Sequence, residues 1–267
     1  MGRLTAAQLS DYARDGVVHV PRALDQRWID PVLGAVERVI EPGKSFGLTV
    51  RPWADDEEFR RFAFETGLAD LAAEATGSET IRLYFDQIFV KKGNTDMVFP
   101  WHQDHPYWPI GGTQIASTWV ALTAATADSS ALEFVRGSHE WGTTFRPPGS
   151  RDDLNKLFPG FGDLAATIPD EIIDFENHPD EYDIVSFDVE PGDALLFDYR
   201  ILHRSRGNPL PDPRVAVSWR WLGDDATWQW EHGKEPVVDQ SMTTLQPGDM
   251  ITDDDTFPIV HPSHASA

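Results

Sequence analysis

The hydrophobic rhythm of the chain changes once, near residue 80. Before that point apolar residues recur every three or four positions, the spacing of helices with one buried face. Leu4, Leu9 and Tyr12 share a face of a helix predicted over 4–16, with Gly16 as its stop. Trp28, Ile29, Val32, Leu33, Val36 and Val39 do the same over 24–40, ahead of Pro42-Gly43. Val17-Val18-His19-Val20 reads as a short strand between these two helices, and a third helix is predicted over 57–75.

After residue 80 the rhythm is that of short β-branched and aromatic runs broken by Gly and Pro. Residues 81–91 form the longest run, followed by 114–124, 131–135, 184–189, 194–197 and 215–222. Helices followed by many short strands predict a mainly β protein, a jelly roll or barrel with flanking helices on one side. Two stretches depart from this. Residues 141–181, rich in Pro, Asp and Gly, show little periodicity and read as a lid-like insertion. Residues 224–267 form a polar tail in which Trp228 and Trp230 are expected to anchor against the core.

Composition narrows the function more than the fold. The 22 basic and 44 acidic residues give a formal charge of −22, which disfavours nucleic acid and anionic membranes as partners. With no cysteine there is no disulfide, no thiolate metal site and no thiol nucleophile. Neither a signal-like leader nor a long apolar run is present, so a soluble cytoplasmic protein is expected. Oligomeric state is not legible.

The candidate chemistry lies in Trp101-His102-Gln103-Asp104-His105-Pro106-Tyr107-Trp108, with His203 far downstream. Two histidines and one carboxylate are the ligand set of a non-heme Fe(II) oxygenase. On a strand, residues i and i+2 share a face, so His102 and Asp104 are expected to grip one ion while Gln103 points away. Such a set leaves three coordination positions for a chelating cosubstrate and O2. The first and last ligands are about a hundred residues apart and must meet. One domain over 1–267 is therefore predicted, with a helical region over 1–79, a β core over 80–223 and the tail. His203 follows the turn and strand of Gly192-Asp193-Ala194-Leu195-Leu196-Phe197-Asp198, and Arg214 opens another β run. An antiparallel return is expected to set Arg214 beside His203. There its guanidinium can hold the distal carboxylate of a 2-oxo acid, with Ser205 sharing it.

These motifs extend along nearly the whole chain: LTAAQLSDYARDGVVHVPRAL, YFDQIFVKK, WHQDHPYW, STWVALTAAT, LEFVRGSHEWG and PGDALLFDYRILHRSRGNP. Together they make the sequence resemble the phytanoyl-CoA dioxygenase (PhyH) family of Fe(II)/2-oxoglutarate-dependent oxygenases. The resemblance implies a double-stranded β-helix (jelly roll, cupin-like) core with iron held by His102, Asp104 and His203. It implies 2-oxoglutarate held by Arg214 and Ser205, with further contacts from Gln87 and Trp119, and O2 as oxidant. Lys91 matches a lysine the family often carries; with Tyr107 and Trp108 it is a candidate substrate contact. The chain departs from the pattern at Lys92-Gly93, where a proline-bearing pair is more usual, and at Arg136-Gly137-Ser138-His139, which stands for Pro-Gly-Ser-His. His139 is read as structural.

Related halogenases carry a small residue where this chain has Asp104, so hydroxylation is expected instead. The expected reaction attacks an unactivated C–H of a small organic metabolite, releasing succinate and CO2. Phe145, Phe158, Phe161 and Ile168 are apolar candidates for the pocket, while Arg146, Arg151 and Lys156 read as solvated charges. No cationic cluster suits the phosphates of coenzyme A, so a free metabolite is favoured over an acyl-CoA. The block after the His-x-Asp pair differs from that of ectoine hydroxylases, so that substrate is not expected. Two other readings stay open. One is a cupin-like metalloenzyme that does not use 2-oxoglutarate, which Arg214 argues against. The other is a non-catalytic small-molecule-binding jelly roll, which the intact triad argues against.

Overall fold

The computed structural model describes residues 3–40, 46–157, 161–168, 177–230 and 237–262. Thr5 caps α1 (Ala6–Asp15): its hydroxyl accepts from the Gln8 backbone, and the Gln8 side chain accepts from the Thr5 N–H. This reciprocal pair satisfies groups that a helix start leaves open. Gly16 ends the helix at φ 78°, and a Cβ there would lie 2.5 Å from the buried His139 ring. Left-handed backbone and close approach both demand glycine. Then come β1 (Val17–Val20), α2 (Gln26–Val39), β2 (Phe46–Val50), α3 (Pro52–Asp55), α4 (Glu57–Glu65) and α5 (Leu68–Thr76). The single helix expected over 57–75 is thus two. Thr66 Oγ1 donates back to the Phe62 carbonyl and Gly67 adopts φ 76°, which turns the chain.

The β region comprises β3 (Ile81–Lys91), β4 (Phe99–His102), β5 (Ile110–Gly111), β6 (Ile115–Ala121) and β7 (Leu132–Val135). After α6 (Arg151–Leu157) and α7 (Phe161–Ala165) follow β8 (Ile184–Ser186), β9 (Ala194–Asp198), β10 (His203–Ser205), β11 (Arg214–Leu222), β12 (Thr227–Trp228) and β13 (Ile259–His261). A large antiparallel sheet runs β1-β9-β6-β11-β3-β13, with β2 also on β3, and a smaller one runs β4-β10-β7-β8. The β5–β12 pair is a separate ribbon. This is the jelly roll with flanking helices that the sequence predicts. Strands β4, β10 and β13 escape the sequence pattern because three or four residues are too few to show alternation.

The helices cover the outer face of the large sheet, where Ile29, Phe59 and Phe62 pack against Ile88, Val217 and Trp219. Between the sheets lies a second cluster that includes Trp119, Phe134, Leu195 and Phe197. One irregularity adjoins the site. Arg220 pairs with Phe85 but Trp221 with Leu83, so Tyr84 is an extra residue in β3. This bulge puts Tyr84 and Phe85 into the same cluster instead of on opposite faces.

The 141–181 stretch is not structureless. Helices α6 and α7 occupy some of it, and Phe161, Leu164 and Ile168 are buried with Tyr107, Trp108 and Trp228. Their three-to-four spacing is helical, but too short to stand out among the Pro and Asp residues around it. Phe158 lies outside the described residues. The tail adds β13 to the edge of β3, and Trp228 is fully buried and stacked on Trp230 at 6.0 Å, the anchor the sequence suggested. Among the described residues no helix is long and apolar enough to cross a membrane.

Candidate active site

Strands β4 and β10 pair so that His102 faces His203 across the ladder, with ring centroids 4.2 Å apart. Each ring is held by its own strand. His102 Nδ1–H donates to the Pro100 carbonyl at 2.9 Å and His203 Nδ1–H to the Ile201 carbonyl at 3.1 Å. A carbonyl can only accept, so both lone pairs sit on Nε2 and point inward. Asp104 Oδ1 lies 3.7 Å from His102 Nε2 and 3.9 Å from His203 Nε2. The three ligand atoms fall within 4.8 Å of one another, and all three residues are buried. Burial, together with neighbouring His203, pushes the His102 imidazolium down to about 3; burial also lowers that of His203. Both rings are therefore neutral at neutral pH, the form that binds metal. Two imidazole nitrogens and one carboxylate oxygen, converging with oriented lone pairs, fit an Fe(II) ion.

The convergence does not arise as the strand argument supposed. Strand β4 ends at His102, and Asp104 has φ −74° and ψ −38°, opening a 3-10 turn over His105–Tyr107. The Asp104 and His105 N–H groups both donate to the Tyr199 carbonyl at 3.0 Å, which fixes this turn. It is the turn, not β alternation, that swings the carboxylate back onto the histidines. Gln103 does point away. Its amide donates to the Thr143 and Arg200 carbonyls and its carbonyl accepts from Phe145 N–H, tying the metal loop to the insertion.

A cavity of about 90 Å³ opens at the triad. Gln87, Trp119, Ser205, Arg214, Tyr107 and Trp108 are among the residues that line it. Arg214 is 3% exposed. Its Nε and Nη2 donate to Ser130 Oγ at 3.4 and 3.2 Å, and its Cζ lies 5.5 Å from the centroid of the Trp119 ring. Nη1 has no partner among the described residues. Burial lowers the guanidinium to about 10, so it stays a cation at neutral pH. The antiparallel return expected beside His203 is not what brings it there. Strand β11 lies in the large sheet between β6 and β3, whereas β10 lies in the small one. Arg214 therefore faces the cavity from the opposite wall.

Lys91 is not among the cavity-lining residues. It is fully buried, and its Nζ donates to Ser205 Oγ at 2.8 Å, Arg206 O at 2.6 Å and Ser205 O at 3.3 Å. Burial and nearby Arg214 push this ammonium down to about 6. A substrate contact was expected; instead Lys91 bridges the two sheets behind Ser205. Its length carries the amine past the cavity to β10.

Of the apolar candidates in the insertion, Phe161 lines the cavity, whereas Phe145 and Ile168 do not. Phe161, from α7, stacks on Phe99 at 5.5 Å and meets the His102 ring edge-on at 6.0 Å. Phe85 and Phe99 complete the apolar walls. Arg220 lines the cavity too, and sequence reasoning missed it. Its Nε is 3.5 Å from Asp104 Oδ2, Nη2 donates to Gln87 Oε1 at 3.2 Å, and Nη1 donates to Ser218 Oγ. The signal was available, since Arg214, Ala216, Ser218 and Arg220 are spaced by two along one strand and must share a face.

Comparison with known proteins follows the same lines. The phytanoyl-CoA dioxygenase (PhyH) family model matches residues 12–216, well over half of the chain. The chain is 27% identical to ectoine dioxygenase of Streptomyces avermitilis over 234 residues, spanning 81% of this chain and 78% of that protein. It is 24% identical to L-proline trans-4-hydroxylase of Streptomyces griseoviridis over 223 residues, 77% of this chain and 82% of that one. The fold is shared with the non-heme alpha ketoglutarate dependent carbocyclase SnoK from nogalamycin biosynthesis, at a TM-score of 0.73 and 22% identity over 96% of both chains. The chain belongs to the phytanoyl-CoA dioxygenase family of non-heme iron, 2-oxoglutarate-dependent oxygenases.

Proposed function

We propose that His102, Asp104 and His203 hold Fe(II), that Arg214 and Ser205 hold the distal carboxylate of 2-oxoglutarate, and that the chain, acting as one catalytic domain, hydroxylates a small organic metabolite. The observation that carries this is the pairing of two receptors in one cavity. A buried, oriented His-Asp-His set faces a buried guanidinium whose Nη1 is unsatisfied. A buried cation without a counter-charge is costly, and a carboxylate arriving in plane with its fork removes that cost. Ser205 Oγ accepts from Lys91, which leaves its own O–H to donate to the same carboxylate. The Trp119 ring lies within cation–π distance of the guanidinium.

Bound at the triad, iron with 2-oxoglutarate and O2 supplies the power to break a C–H bond, with succinate and CO2 as coproducts. The protein excludes water and fixes geometry. Phe99, Tyr107, Trp108 and Phe161 line the cavity with aromatic surface, suiting the carbon skeleton of a small substrate. Asp104 supplies a carboxylate at the third ligand position, which favours hydroxylation over halide transfer. Exposed Arg151 pairs with Asp163 and exposed Lys156 with Asp153, so neither is set toward the cavity to receive a coenzyme A phosphate.

The test is anaerobic titration of the Fe(II)-loaded protein with 2-oxoglutarate, following the weak visible charge-transfer band of the chelate. The band is expected in the wild type, absent in His102→Ala and much weaker in Arg214→Ala. A wild-type protein that takes up iron but gives no band at saturating 2-oxoglutarate overturns the cosubstrate assignment.

A further inference from the structure

Asp104 uses its two oxygens differently. Oδ1 is the atom nearest both His Nε2 atoms, at 3.7 and 3.9 Å. Oδ2 is turned the other way and lies 3.5 Å from Arg220 Nε. Four further side chains surround the Arg220 head. Gln87 and Ser218 accept from its two Nη atoms, and the Phe85 and Trp108 ring centroids lie 5.5 and 5.6 Å from its Cζ. The β3 bulge at Tyr84 leaves Phe85 opposite Arg220 in the ladder, which places that ring against the guanidinium. Arg220 is itself 4% exposed, so bulk water hardly screens the charge it presents to Asp104.

We propose that Arg220 is a positioning residue that holds Asp104 to a single metal-binding oxygen, and thereby links the iron's carboxylate ligand to the substrate wall formed by Phe85 and Trp108. The inference rests on the His102/Asp104/His203 reading of the metal site. A carboxylate free of restraint can bind an ion through either oxygen or both. With Oδ2 facing a fixed guanidinium, only Oδ1 is presented to the ion, and the position a second oxygen would occupy is kept for a cosubstrate or O2. Outer partners of this kind orient metal ligands, and their loss typically weakens metal binding about 10- to 100-fold. Gln87 closes the connection, since it accepts from Arg220 and lines the cavity.

The test is metal affinity, read by calorimetric titration of the metal-free protein with Co(II), together with the visible ligand-field spectrum of the Co(II) form. Wild type, Arg220→Met, Asp104→Ala and the double variant form a cycle. Arg220→Met is expected to weaken Co(II) binding about 10- to 100-fold and to change the ligand-field bands, but to have little further effect once Asp104 is alanine. An equal loss in both backgrounds, or unchanged affinity and spectrum in Arg220→Met, overturns the proposal. Should Arg220→Met fail to fold, a crystal structure of the wild-type protein with Co(II) decides. One Asp104 oxygen on the metal and the other on Arg220 supports the proposal, and a bidentate Asp104 overturns it. Failure of the underlying metal-site reading looks different: the wild type would bind Co(II) no better than His102→Ala.

Discussion

Strand β11 is buried on both faces along all nine residues, yet the two faces do opposite work. Val215, Val217, Trp219 and Trp221 point outward under the helices, in one cluster with Phe59 and Phe62. Arg214, Ala216, Ser218 and Arg220 point inward to the cavity side. The outer face is held by apolar area removed from water, of order 25 cal/mol per Å². The inner face places two guanidiniums in a poorly solvated space, where a charge costs several kcal/mol unless something offsets it. One strand thus carries a stabilising face and a face whose worth lies in what binds to it. Separating these by mutation is the sharpest check on where stability ends and function begins.

The largest effect is expected on the outer face. Trp219 is fully buried and stacks on Phe62 with centroids 4.7 Å apart and planes within 5°. Trp219→Ala should cost roughly 3–5 kcal/mol of stability, from lost burial and the cavity left behind. Urea unfolding measures this. In the fraction that remains folded, iron and 2-oxoglutarate binding should be close to wild type, because the side chain faces away from the site. Loss of binding at temperatures where the variant is fully folded would mean that the two faces are not separable.

Next in size is the converse change on the inner face. Arg214→Met should leave stability unchanged or raise it slightly, since it replaces a buried cation lacking a carboxylate partner with an apolar chain of similar length. Its cost falls on the cosubstrate. Loss of a buried charge-assisted pair is worth about 2–5 kcal/mol, so the 2-oxoglutarate Kd should rise at least about 30-fold. Iron binding, proposed for His102, Asp104 and His203 across the cavity, should be unaffected. An unchanged Kd for 2-oxoglutarate would contradict the assignment of this face.

The same contrast explains what could be read from the sequence. Elements that bury a long apolar face announce themselves: α2 through six spaced apolar residues, and β3 through seven apolar residues among eleven. The proposed metal ligands are legible by residue type, as two histidines and a carboxylate. Their mode of assembly is not. Asp104 reaches the two histidines through a 3-10 turn fixed by the Tyr199 carbonyl, a contact nearly a hundred residues away in sequence. Arg214 reaches the cavity from the sheet opposite His203, which no local pattern encodes. Arg220 went unread although strand alternation pointed to it, since an arginine within Trp219-Arg220-Trp221 resembles a surface break in an apolar run. Phe161 was only one apolar candidate among several, and its contact with the His102 ring depends on how α7 docks.

The smallest expected effect concerns pH, and it too divides buried functional groups from apolar ones. In the metal-free protein the His102 imidazole is held neutral down to about 3, and burial likewise lowers His203. An unfolded chain protonates these rings near pH 6.5. Below that value the unfolded state therefore binds more protons than the folded one, so stability falls as pH falls. The slope is ~1.4 kcal/mol per pH unit for each ring that stays neutral. For His102 the window runs from about 6.5 to about 3, and its upper end, pH 6.5 to 5, lies above the range where most carboxylates titrate. His102→Gln should remove one ring's share of the slope in that interval. Val217→Ala, on the outer face, should lower the whole curve and leave its slope unchanged. Equilibrium unfolding of the three metal-free proteins at half-unit pH steps reads both quantities. A slope indifferent to His102→Gln would mean that the imidazole already takes up its proton in the folded protein, leaving the ligand set to compete with protons for the metal.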